Sequence, residues 1–126
     1  MECIILMGMN RRRIISFFFD WHIIIATSGA GLMLLASWIY AISLFSTIPD
    51  KIILHTNRYG EIDLLGSRGE VYGALALWSL FVLIDIYIAY ILYIRKPTWA
   101  RIFLYGLIPI TITAYLFIRS LAILNM

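Results

Sequence analysis

Cysteine and charge are both scarce in this chain. Cys3 is the one cysteine in 126 residues, which excludes an internal disulfide and a cysteine-based metal cluster. Charged residues make up 13% and hydrophobic residues 63%, where soluble domains run to about 25% and 45–50%. With a mean hydropathy of +0.93, this is more apolar surface than a compact soluble fold can cover. A bilayer can cover it. Catalytic signatures are missing too: there is no Ser/His/Asp set, no Gly-rich phosphate loop and no carboxylate pair in a plausible pocket. The chain therefore reads as a non-enzyme without a cofactor or metal. Its net charge of +3 sits at the ends of apolar runs, where membrane topology accounts for it and nucleic acid is not required.

Three runs are present that reach the roughly 20 apolar residues a helix needs to cross about 30 Å of hydrocarbon. The pattern predicts a single all-α integral membrane domain over 1–126. Its first helix covers about 14–45, a loop 46–70, a second helix 71–94, a turn 95–101 and a third helix 102–124. The apolar piece at residues 4–9 is too short to span and reads as a frayed end or an interfacial contact. Asn10 and Arg11 to Arg13 have a loose twin-arginine look, but the apolar run that follows extends past Leu35. A signal core is about 7–15 residues, so this is expected to be a retained helix.

Arg11, Arg12 and Arg13 precede the first span, and Arg95, Lys96 and Arg101 lie in the second connection. The positive-inside rule then places the N-terminus and the 95–101 turn in the cytoplasm, with the 46–70 loop and the C-terminus outside. Trp21, Tyr93, Trp99 and Tyr105 fall near one interface, and Trp38, Tyr40 and Tyr72 near the other. Asp20 and His22 read as interfacial polar groups beside a Trp anchor, although a His next to an Asp can also relay protons or bind metal.

Lipid tails are as apolar as leucine, so the helices must associate through close packing and polar contacts. Ala26, Ala30, Ser37 and Ala41 on the first helix, and Gly73, Ala74, Ala76 and Ser79 on the second, are expected to bring those two together. Pro109 is expected to kink the third helix, with Gly106 adding pliability. Asp85 is the costly residue, since a central Asp costs around 2.5–3.5 kcal/mol. It lies about 14 Å from the near end of its helix, whereas Arg119 lies about 25 Å up the third, free to snorkel to the head groups. Thr111 is at the level of Asp85, and an Asp85–Thr111 hydrogen bond is the expected pairing. Structural glue, proton or ion handling, and contact with another subunit all remain open for Asp85.

The 46–70 loop is the one long polar stretch. Pro49 stops the first helix, residues 51–56 have strand character, Asn57 to Gly60 form a plausible turn, and residues 61–65 return. His55 and Asp63 can meet across such a hairpin and hydrogen-bond, which is too little for a metal site of three or four ligands. Ile48-Pro49-Asp50-Lys51-Ile52-Ile53-Leu54-His55, then Gly60-Glu61-Ile62-Asp63 and Gly66-Ser67-Arg68, resemble a signature written P-x-x-I-P-x-H-F-x-x-x-G-x-x-D-x-W-G-S-K. It marks a domain of unknown function best known from the N-terminal half of membrane immunity proteins against the sporulation-delaying toxin. Thr56 stands at the Phe, Leu65 at the Trp and Arg68 at the Lys of that signature. The resemblance implies an extracytoplasmic loop in which His55, Gly60, Asp63 and Arg68 matter, to which the turn adds Arg58 and Tyr59. Three functions compete: a loop that recognises a peptide, toxin or protein partner; an accessory subunit of a larger membrane complex, as a homo- or hetero-oligomer; and a proton or ion conduit through Asp85.

Overall fold

The computed structural model describes residues 11–126, so Cys3 and the apolar piece at 4–9 lie outside the described residues. Helix α1 occupies the first described residues, 11–18. It is followed by α2 (Trp21–Phe45), β1 (Lys51–Thr56), β2 (Ile62–Ser67), α3 (Arg68–Arg95), α4 (Pro97–Tyr105) and α5 (Leu107–Asn125). Three helical segments are long and apolar enough to cross a membrane: Trp21–Phe45, Arg68–Arg95 and Pro97–Asn125.

The first helix does not run unbroken from residue 14. Asp20 leaves the helical region at φ −72° and ψ 118°, and its carboxylate accepts the His22 N–H at 3.0 Å. This is an N-cap, which satisfies one of the backbone donors a helix start leaves unpaired, so 11–18 and α2 are separate helices. The 95–101 turn also shrinks, to Lys96 alone. Clash with the Pro97 ring disfavours helical geometry in the preceding residue, and Lys96 sits at φ −143° and ψ 84° while Pro97 opens α4.

The third span breaks at Gly106 rather than at Pro109. Gly106 N–H bonds the Phe103 carbonyl at 3.1 Å, and α5 restarts at Leu107. Pro109 thereby falls in the first turn of α5, where a helix needs no N–H from it. The proline is accommodated in the first turn of a new helix.

Small residues share the interior with Leu75, Leu104, Leu107 and Ile118, and many large apolar side chains lie outside. Ala26, Ala30, Ser37, Ala41, Thr111 and Ala114 are fully buried, while Leu32, Ile39, Leu83 and Tyr87 are more than 60% exposed. Small residues inside let backbones approach closely, and large apolar ones outside suit contact with lipid. The small-residue face of α2 packs chiefly on α5 and less on α3. On α3, Gly73 and Ala76 are exposed, so of the expected small residues it is Ser79 that meets the first span, and close packing of small residues on both sides is not what joins them. Those spans are joined instead by Trp38, whose indole N–H donates to Ser79 Oγ at 3.0 Å and whose ring stacks on Tyr72.

Candidate functional site

The residues between α2 and α3 form an antiparallel two-stranded sheet. Its turn is built by Asn57. That side chain accepts the N–H groups of Tyr59 and Glu61 at 2.9 Å each and donates to Glu61 Oε2 at 2.9 Å. Gly60 closes the turn at φ +78°, a conformation that costs an L-residue with a Cβ roughly 1–2 kcal/mol. The strands pair Lys51 with Ser67, Ile52 with Gly66 and Ile53 with Leu65, and then shift, with His55 opposite Leu64 and Thr56 opposite Ile62. Asp63 therefore falls at a bulge rather than directly across from His55.

An isolated two-stranded hairpin is marginal in water, and this one is tied to the helices at several points. Ile52 is fully buried among Phe45, Val71, Leu75 and Ile118. Asn125, at the end of α5, presents its amide to the outer edge of β1: Oδ1 accepts the Ile53 N–H at 2.7 Å and Nδ2 donates to the Ile53 carbonyl at 2.9 Å. One side chain thus replaces a missing third strand at that residue. Gly66 is required by close approach, since a Cβ there would collide with Leu54 and the Glu70 carboxylate. Glu70 in turn accepts the Ser67 N–H at 3.2 Å and helps start α3.

Arg68 fastens the base. Its guanidinium reaches Asp50 Oδ1 from Nε at 2.9 Å and from Nη2 at 2.5 Å, and Nη1 lies 3.4 Å from the carbonyls of Phe45 and Ser46. These are the last carbonyls of α2, where a cation is favoured by the helix dipole. Asp50 is 86% exposed, so the ion pair itself adds little and the benefit is positional. Arg68 is committed to holding the hairpin. Arg58, Tyr59 and His55 are exposed on it, with Tyr59 at 90%. The exposed apolar residues Ile62, Leu64 and Leu65 of β2 complete the presented surface.

A second polar cluster lies at the opposite end of the bundle. Asp20 Oδ2 accepts from Arg101 Nε at 2.9 Å, from Arg101 Nη2 at 2.6 Å and from the Tyr93 hydroxyl at 3.1 Å. Burial pushes the Asp20 carboxyl up. The Arg101 and Tyr93 hydrogen bonds, the Arg101 charge and the His22 N–H outweigh that and hold it below its ordinary value. His22 Nδ1 and the Tyr105 hydroxyl are hydrogen-bonded at 3.0 Å. Asp20 and His22 are therefore structural ties between α2 and the last span, with partners eighty-one and eighty-three residues away.

The membrane polar residues are not brought together. Thr111 is fully buried, and its hydroxyl donates to the Leu107 and Ile108 carbonyls of its own helix at 3.0 Å. The expected Asp85–Thr111 hydrogen bond is absent because an intrahelical carbonyl is nearer and always available. Arg119 is exposed on α5. Among the described residues, no three His, Cys, Asp or Glu side chains gather as a metal site would require.

Comparison with known proteins adds no relative. The chain matches no protein-family model, no curated protein and no solved structure. The loop's likeness to the immunity-protein signature rests on its residues alone. Asn125, which the sequence did not single out, carries much of the geometry, and Arg101, read only as a topology charge, proves to be the partner of Asp20.

Proposed function

We propose that this chain is a non-enzymatic, multi-pass protein of the cell membrane whose hairpin recognises a protein or peptide partner outside the cytoplasm. The observation that carries the reading is a contrast within the hairpin. Its base and the β1 edge are fixed by Arg68, Ile52 and Asn125, yet Tyr59, Ile62, Leu64 and Leu65 stay more than 50% exposed. A rigid apolar and aromatic surface at a loop is what recognition of another chain uses, because little ordering entropy remains to be lost on binding. Orientation follows from charge: Arg11 to Arg13, Arg95, Lys96 and Arg101 flank the end opposite the hairpin, which favours that end in the cytoplasm. The resemblance to toxin-immunity proteins supports the same kind of role for the loop, with His55 and Asp63 as contributing positions.

A photoreactive residue placed at Tyr59 or Leu64, and at lipid-facing Leu83 as control, tests this in intact cells. The expected result is one discrete protein or peptide adduct from the two hairpin positions and none from Leu83. Hairpin positions that yield lipid adducts only would overturn it. Asp85 favours a second reading, a subunit that packs against a larger complex.

A further inference from the structure

Asp85 is the acid placed deepest in the spanning helices. Thr27, Ser37, Ser79, Thr111 and Thr113 each donate a hydroxyl to a carbonyl one turn back in their own helix. Asp85 is half-buried, and among the described residues no hydrogen bond or ion pair reaches it. It lies about 15 Å along α3 from Arg95, inside the hydrocarbon of a bilayer about 30 Å thick. The chain's own cations do not serve it: Arg101 is bound to Asp20, Arg95 and Lys96 are exposed at the helix end, and Arg119 is exposed further toward the hairpin.

The surroundings of Asp85 have a shape. Phe81 and Trp78 precede it by four and seven residues and so share its side of α3. With Ala74 and Leu77 they line an open apolar groove of about 320 Å³. The Trp78 ring meets Phe117 of α5 at 5.5 Å, which sets this groove on the flank of α3 turned toward α5. α5 packs on α3 much less than on α2, so the groove is left open along its length. Asp85 does not line the groove itself but follows Phe81 by one turn on the same side of α3. The apolar side chains thus lead toward one acid, a surface that fits a helix with a single cation. A second copy inserted the same way brings only another carboxylate to that depth.

We propose that the α3 groove, together with Asp85 one turn beyond it, docks a transmembrane helix of a different protein, one that carries a lysine or arginine at the depth of Asp85. Apolar side chains of that helix fill the groove, and the ion pair fixes its depth and rotation, because packing alone does not discriminate among apolar helices. This interface is separate from the hairpin and does not depend on the role assigned to it.

The test uses the full chain in phosphatidylcholine vesicles, labelled at Cys3, with acceptor-labelled Leu/Ala helices of about 20 residues. One helix carries a mid-membrane Lys, one a Lys near its end, and one none. Energy transfer is expected to show the mid-Lys helix binding about tenfold more tightly than the other two, as some 1.4 kcal/mol of pairing gives. The preference is expected to vanish in Asp85→Asn and to survive Tyr59→Ala. Leu77→Trp, which fills the groove and leaves the acid in place, is expected to weaken the mid-Lys helix as well, so the outcome does not hang on one variant's folding. Equal binding of all three helices, an undiminished preference in Asp85→Asn, or self-association of the chain that Asp85→Asn abolishes would each overturn the proposal.

Discussion

Replacing Asp20 first by Asn and then by Ala separates its two structural tasks. Asn retains an oxygen for the His22 N–H and is as good an N-cap as Asp, but it removes the charge facing Arg101. Charge-assisted hydrogen bonds contribute about 1.5–3 kcal/mol. The Asp20 side chain is 5% exposed but that of Arg101 is 38% exposed, so solvent screening reduces the pairing to about 1–2 kcal/mol. Asp20→Asn is expected to lose that amount in denaturant unfolding of the detergent-solubilised protein, and Asp20→Ala about 1 kcal/mol more for the cap. A double-mutant cycle with Arg101→Gln should return the pairing energy as the coupling term. The pH dependence has a definite sign. Because the folded carboxyl is held below its ordinary 3.8, its stabilisation is complete above that pH and fades as pH falls through the lowered folded value. The gap between the native chain and Asp20→Asn should therefore be flat near neutrality and close only in strong acid. A gap that closes between pH 5 and 7, or Asn and Ala variants of equal stability, would refute the assignment.

Asn125→Ala removes both bonds to Ile53 and should destabilise the hairpin by about 1–2 kcal/mol, read as faster amide exchange at Ile53 with little change in the α2 interior. Gly66→Ala drives a methyl into Leu54 and the Glu70 carboxylate. It should cost about 1–3 kcal/mol as overpacking, seen as a lower melting temperature that Leu54→Ala partly restores.

Hydropathy and turn chemistry made the coarse fold readable. Long apolar runs declared the three spans, and Asn57 followed by Gly60 declared the hairpin turn, because both signals are local. What escaped was decided by atoms distant in sequence or by competition within one turn. Asp20 was legible as an interfacial polar group, but its pairing with Arg101 depends on where the last span packs. The Thr111 hydroxyl had a carbonyl of its own helix within reach, which depth matching with Asp85 could not reveal. Pro109 announced a disturbance, and Gly106 determined where the chain absorbed it. In the hairpin, the exposed positions were legible as a polar loop. The commitment of Arg68 to α2 carbonyls was not, since those carbonyls belong to no particular side chain.

The last span also has a consequence for how the protein is assembled. Arg101 and Tyr105 close the cluster around Asp20 and His22 at one end, and Asn125 closes the edge of β1 at the other. Until residues 97–125 have folded against the other two long helices, Asp20 lacks its Arg101 partner and the hairpin has an open edge. The third segment acts as a latch at both ends of the bundle. Chains that stall before it is inserted would display those unmatched groups, a mark by which quality control can tell an unfinished molecule from a completed one.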